Sequence, residues 1–399
     1  MRWNQRYLIK SYVKGSLWLM PLFAVVFLFF FGRIVDATEA WLVQSGRLNE
    51  TTDFYGFTHN GARSLLETVI TMNMSFMVFA FSSLLVAIQV AGGQYTPRII
   101  ATTLLRDNAI RFSVGCFVFT MVFALRSLMR MNDIEVPQLN GFLTALFGTI
   151  SIATFLFLID YAARFLRPIT LAERVGVTGI RVIENLYPRQ LENAQPVSSP
   201  RQLPNTDRIV PHTGRSGIVL AVNLKGLAEQ ARQVGGVIEF APQVGDFLAV
   251  DEPLFRLYGT ATGLDDNKLR ATVALGSERT MEQDPTFAFR ILVDIAIKAL
   301  SPGINDPTTA VVAIDQLHRL LRTVGVRDLH NEDVRDKRGA PRVIFRMPNW
   351  EDFVNLACTE IRHFGVNSVQ IMRRMRSMLV NLVQTLPPHR HDELRQQLA

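Results

Sequence analysis

Five polar residues in the second half of the chain have the types and spacing to do chemistry: Glu278, Arg279, Asp284, Asn305 and Asp306. Carboxylate and amide oxygens gathered at one turn would suit a hard cation such as Mg²⁺ or Ca²⁺, which takes oxygen ligands, or a polar segment of a partner. The competing account is local. Asp284 and Asp306 each stand directly before a proline, Pro285 and Pro307, and an N-cap followed by proline starts a helix. Both accounts stay open at this level, and no spacing matches a metal motif, so no metal is assigned. A second set lies in apolar surroundings: Asn73 and Gln89, with Arg126 and Asp160 nearer segment ends. Polar groups within hydrocarbon usually face protein or water, so Asn73 and Gln89 are candidates for a conduction path or for hydrogen bonds between helices.

The sequence carries no Walker loop, GxGxxG, GxSxG or HExxH, and His212, His318 and His363 stand isolated. A protein without catalytic residues or cofactor is expected. Cys116 and Cys358 give neither a disulfide framework nor a thiolate metal site. The net charge of +7 is not gathered into an arm, and no zinc-finger or helix-turn-helix spacing is present, so nucleic acid is not an expected partner. Much of the basic excess flanks apolar segments, where it acts as a topology signal and attracts anionic headgroups.

Four apolar stretches must position the intramembrane set. A helix needs about 20 mainly apolar residues to cross hydrocarbon, and residues 17–35, 65–91, 109–131 and 141–166 qualify. The first reads as a retained anchor, since no small-residue cleavage site follows it. The third has the shortest core, between Arg111 and Arg126, so crossing requires both arginines to snorkel; a re-entrant segment is the alternative. In the fourth, Gly141, Ala145 and Thr149 offer a small-residue face for close helix contact. Basic residues cluster before the first span (Arg2, Arg6, Lys10, Lys14), between the second and third (Arg98, Arg106, Arg111) and after the fourth (Arg164, Arg167, Arg174). Asp36, Glu39, Glu50, Asp53, Asp133 and Glu135 fall in the other two connections, so both termini are expected in the cytoplasm.

Residues 168–211 read as a juxtamembrane segment and linker, with an amphipathic stretch at 169–188 expected along or just below the membrane surface. Residues 212–275 read as a small β module. Its strands are expected at 218–222 and 237–241, with a helix capped by Asn223 between them and a turn at 244–246. The segment VGDFLAVDEPLFRL is similar to the barrel modules of lipoyl and biotinyl carriers. Those present a modifiable lysine at a hairpin tip, whereas Lys225 falls in the expected helix, so a structural β module is the expectation. Residues 276–399 read as helical, with helices at 285–300, 308–321, 352–364 and 367–386 and a polar loop at 330–342.

The run from Arg279 to Leu317, with SPGINDPTT at 301–309 as its most specific part, follows four apolar spans and the VGDF segment. In these features the chain resembles a bacterial family of predicted membrane proteins, domain of unknown function 2254, over nearly its whole length. The resemblance implies a bacterial inner-membrane location and brings no activity, cofactor or catalytic residue. The fold class expected is a four-span α-helical membrane domain (1–167) plus a cytoplasmic α/β domain with a small β-barrel-like module and helical hairpins. Four helices alone seldom enclose a path, so the function expected is a homo-oligomeric, channel-like or transport-related protein with its pore between copies and a cytoplasmic regulatory domain. The alternative is a membrane-anchored scaffold or regulator that binds a cytoplasmic protein partner, which pull-down with residues 170–399 alone would reveal.

Overall fold

The computed structural model describes residues 2–45, 58–94, 107–131, 138–165, 167–191, 206–329 and 333–399. Among the acids and bases used to orient the spans, Glu50, Asp53, Arg98, Arg106, Asp133 and Glu135 lie outside the described residues, as does most of the expected linker. The chain divides into two compact units, one of residues 13–93 and 103–167, the other of residues 168–399 with 1–12 and 94–102.

The first helix, α1, runs Trp3–Gly15, followed by α2 (Leu19–Gln44), α3 (His59–Gln94), α4 (Asn108–Met129) and α5 (Gln138–Phe165). By length and composition, α2 to α5 could each cross a membrane. The weakest expected span, α4, is one uninterrupted helix, started by Asp107, whose carboxylate accepts from the Ala109 and Ile110 N–H groups. The α2 helix runs on beyond residue 35 to Gln44, so Asp36 and Glu39 are helical residues rather than parts of a connection. Their side chains have partners on neighbouring helices, as described below, and nothing in that stretch breaks the backbone pattern.

Interior packing in this helical unit is largely aromatic. Phe76 stacks on Phe155 with ring centroids 4.0 Å apart, and Phe123 meets Phe147 edge-on at 5.2 Å. Such contacts hold helices together where burial of apolar surface from water supplies no drive. The close helix approach expected along Gly141, Ala145 and Thr149 falls partly on other positions. Thr144 and Gly148 are buried while Thr149 is exposed, and a Cβ at Gly148 would stand 3.0 Å from Val69.

In the other unit, strands β1 (Arg208–Pro211), β5 (Pro253–Tyr258), β3 (Val237–Phe240), β8 (Pro341–Phe345) and β7 (Asp333–Arg335) form one sheet in that order. Strands β4 (Phe247–Leu248), β2 (Gly217–Val222) and β6 (Val273–Gly276) form a second. Among the described residues, only β3 and β8 are parallel. Both sheets are open among the described residues, so the barrel-like closure expected for 212–275 is not seen. The larger sheet also draws β7 and the first two residues of β8 from the stretch read as a polar loop. Alternation explains the miss: Pro341, Val343 and Phe345 face the interior while Arg342 and Ile344 are only partly buried. Helix α7 (Leu224–Val234) starts on the Asn223 side chain and stops at left-handed Gly235. A short helix, α8 (Asp266–Arg270), precedes β6.

Helices α6 (Pro168–Leu186), α9 (Pro285–Leu300), α10 (Pro307–Gly325), α11 (Trp350–Gly365), α12 (Val369–Thr385) and α13 (His391–Leu398) complete the unit. The central one is α9, with Phe287, Phe289, Ile291, Leu292 and Ile295 all buried. The amphipathic α6, expected to run along or just below the membrane surface, turns its apolar face into the unit. Its apolar residues Leu171, Val175, Val182 and Ile183 are buried, and α6 packs on α9 and α10. Gly179 makes the approach possible, because a Cβ there would lie 2.6 Å from Ala288 and 3.0 Å from Leu320.

Candidate functional site

The sequence candidates separate into two groups at opposite ends of α9. Asp284 precedes its first residue, and Asp306 follows its last by one turn of chain. Sixteen residues at 1.5 Å each put about 24 Å between the two groups, so they make no common ligand shell. Asp284 is buried, and its carboxylate takes five donors. Arg279 supplies Nε at 2.8 Å and Nη2 at 2.5 Å to Oδ2. The Thr286 N–H, the Phe287 N–H and the Thr286 hydroxyl reach Oδ1 at 3.1, 3.1 and 2.8 Å. A carboxylate has about four lone-pair positions, so none is left for a cation. Burial pushes the Asp284 carboxyl up, while Arg279 and Thr286 pull it down.

Gly245, at φ +98°, sits against this pair; a Cβ there would be 2.4 Å from Asp284 Oδ2 and 2.6 Å from Arg279 Nη2. The cluster thus fastens the turn after β3 to the start of α9. Glu278 is exposed beside it. At the other end Asp306 caps α10 through the Thr309 N–H at 3.1 Å and the Thr309 hydroxyl at 2.5 Å. Asn305 is exposed in the left-handed region at φ +48°. Asparagine tolerates that conformation better than most residues, which accounts for its place in the turn.

In the helical unit the two intramembrane candidates also part company. Gln89 is exposed near the end of α3. Asn73 is fully buried, its Nδ2 donating to the Val69 carbonyl at 2.9 Å, while its Oδ1 has no hydrogen-bond partner among the described residues. Around it lies a set that sequence reasoning missed. Ser113, Thr120 and Ser127 recur every seven residues on α4, and all three are buried. Asn140, Thr144 and Ser151 of α5 are also buried. The Ser151 hydroxyl donates to Thr120 at 3.1 Å, and Ser127 to Asn140 Oδ1 at 3.4 Å. Because Val69 packs in one cluster with Ala124 and Phe76 against Phe117, Asn73 lies between those levels, with Thr120. The sevenfold spacing on α4 was the available signal; serine and threonine are too common in spans to attract notice singly.

Charged groups stand at both ends of this polar row. At one, Arg126 and Arg130 pair with Asp36. Glu39 accepts from the Leu139 N–H at 2.9 Å and Asn140 Nδ2 at 2.6 Å. Arg126 also lies against Gly32, whose added Cβ would stand 2.6 Å from the guanidinium. At the other end the Tyr161 hydroxyl donates to Asp107, and Arg111 Nη2 donates to the Val13 carbonyl at 3.0 Å. Asp160 pairs with Arg164 on the exposed surface of α5. A groove of about 430 Å³, lined by Phe79, Ser83, Ile110, Leu158 and Tyr161 among others, is almost wholly apolar.

The isolated titratable residues find structural company. His318 Nδ1 accepts from Arg374 at 3.1 Å, since a guanidinium only donates, so Nε2–H donates to Asn381 Oδ1 at 2.9 Å. Burial holds the imidazole below its ordinary 6.5, aided by Arg374 and Arg322 and opposed by Asn381 and Asp315. His212 is buried with Nε2 3.0 Å from the Arg215 carbonyl, and His363 is exposed. Burial pushes the Cys358 thiol up to about 12. Among the described residues, no group of three or more His, Cys, Asp or Glu side chains is placed to hold a metal ion.

Four candidate spans with a buried polar row, joined to a mixed α/β unit, define a membrane protein with a large mixed α/β part. The chain belongs to the family of predicted membrane proteins DUF2254, which matches residues 14–381. It is similar to an uncharacterized protein of Mycobacterium bovis and to an uncharacterized protein of Mycobacterium tuberculosis. Each is 25% identical over 412 residues, covering 99% of this chain and 77% of the relative. No solved structure matches significantly.

Proposed function

We propose that this chain is a non-enzymatic, transport-related protein of the bacterial inner membrane, with both termini in the cytoplasm and the α/β unit as its regulatory part. The observation that carries the reading is the buried row formed by Asn73, Thr120, Ser127, Asn140, Thr144 and Ser151. Polar side chains held away from lipid either bridge helices or face a polar solute. Hydrogen bonds account for most of this row, but the Asn73 Oδ1 acceptor has none among the described residues. The row favours a route within one copy rather than the pore between copies expected from sequence. Association of copies then rests on exposed apolar faces such as that of Phe27 and Phe30 on α2. Reconstituted in liposomes, the full chain is expected to pass small ions, and Thr120→Val with Ser151→Ala to reduce the flux. An electrically silent protein in well-folded proteoliposomes would overturn the reading.

A further inference from the structure

The helical layer of the α/β unit has one end where three parts of the chain meet. Gly176 lies against Gln316 and Gly179 against Leu320, so α6 and α10 run in the same direction and their first turns are level. The turn Ser301–Asp306 leads into α10 at that end. Gly365 lies against Leu300 and Ile371, which brings the turn between α11 and α12 to the same place. Ile169, Ile304, Phe364, Val366, Val369 and Met372 are exposed here, Val369 to 72%, Val366 to 61% and Phe364 to 52%. Single exposed apolar side chains are ordinary, but six on the turns at one end form a patch.

The chain segment that carries four of these side chains, Phe364, Val366, Val369 and Met372, is basic. From Ile361 to His391 the chain holds no Asp or Glu, while Arg362, Arg373, Arg374, Arg376 and Arg390 fall within it. On α12, Val369, Met372, Arg373 and Arg376 share an exposed face, opposite the buried Ile371, Met375, Met378 and Leu382. Glu360, the acid just before this stretch, is engaged by Arg290 at 2.5 Å. The chain also enters the unit at this end, since α6 begins at Pro168 and α5 ends at Phe165.

We propose that this end of the unit docks on the anionic surface of the bilayer, with Phe364, Val366 and Val369 entering the headgroup region and Arg373 and Arg376 on lipid phosphates. An apolar tip backed by arginines is the composition that binds such a surface. The occupant is lipid because an acid-free basic face complements anionic headgroups, and because the chain follows a candidate span by two residues, within reach of a bilayer. The membrane-surface role expected of α6 then belongs to the turns beside it.

The test uses the full chain in lipid nanodiscs, with a polarity-sensitive fluorophore on Val369→Cys in a Cys116→Ser background; buried Cys358 stays unlabelled. In discs containing phosphatidylglycerol, nitroxides on the lipid chains are expected to quench the label and aqueous iodide to leave it. R373Q with R376Q should lower the docked fraction relative to the free one by roughly 30-fold. A label quenched by iodide and untouched by lipid nitroxides would overturn the proposal. So would a label shielded from both, which would mean that a second copy covers the patch. Lipid quenching that is equal in phosphatidylcholine discs and indifferent to the arginine pair would overturn the anionic-surface assignment.

Discussion

Asp284 in the α/β unit and Asn73 in the helical bundle are buried alike, 2% and 0% exposed, yet their hydrogen-bonding capacity is used differently. Every acceptor position of Asp284 is filled by Arg279, Thr286 and Phe287. Asn73 spends its amide nitrogen on its own helix and keeps its oxygen uncommitted. A buried group without a partner costs about 1–3 kcal/mol, so a fold tolerates one only where something else is gained. The saturated residue is accounted for by architecture, while the unsaturated one is where the proposed function would have a solute met. Sequence left both residues with two accounts, a cap or a ligand for Asp284 and an interhelical bond or a conduction path for Asn73.

Substitutions at the two places can break or sharpen this contrast. Asp284→Ala should cost the most, about 3 kcal/mol, by leaving Arg279 and two helix N–H groups unpaired; thermal unfolding of the purified full chain measures it. If activity in liposomes fell before stability did, the contrast would fail. Gly245→Ala should cost about 2 kcal/mol through its positive φ and the crowding of Asp284, again read as a lowered Tm. Asp306→Ala removes a single cap and should cost about 1 kcal/mol, measured by denaturant unfolding.

His318 is expected to add a smaller, pH-dependent effect. Its folded pKa lies below 6.5, so the unfolded chain binds the proton more readily and stability is lost as pH falls below 6.5. Comparing the pH dependence of Tm in the native chain and in His318→Gln isolates this contribution. Asn73→Leu should change stability least, since it removes an uncommitted oxygen along with one local bond. A large loss of flux with little change in Tm would sharpen the contrast, whereas a large loss of stability would make Asn73 a structural residue like Asp284.

Local signals carried much of the fold. Asp284 and Asp306 before prolines, Asn223 before α7 and Gly235 after it act within one turn, and the elements they announce stand where expected. What escaped depends on distant partners. Strand β8 is a strand because Ile238 and Phe240 lie a hundred residues earlier to pair with Val343 and Phe345. The helical continuation of α2 past residue 35 places Asp36 and Glu39 beside Arg126 and Asn140, a match that no window along the chain contains. The candidate site was legible only in part for the same reason. Asn73 stood out as an amide in an apolar run, while Thr120 and Ser151 gain meaning only once α4 and α5 lie side by side.

Helix α1 rests Trp3 and Tyr7 on Leu220, Ala221 and Ala274, with the Asn4 N–H on the Ala271 carbonyl at 3.2 Å. That seat is completed only by β6, more than two hundred positions later. At ribosomal speeds of roughly 5–20 residues per second, α1 waits on the order of 10–50 s after emerging before its docking surface exists. For that interval an aromatic, basic segment stands without its docking partner.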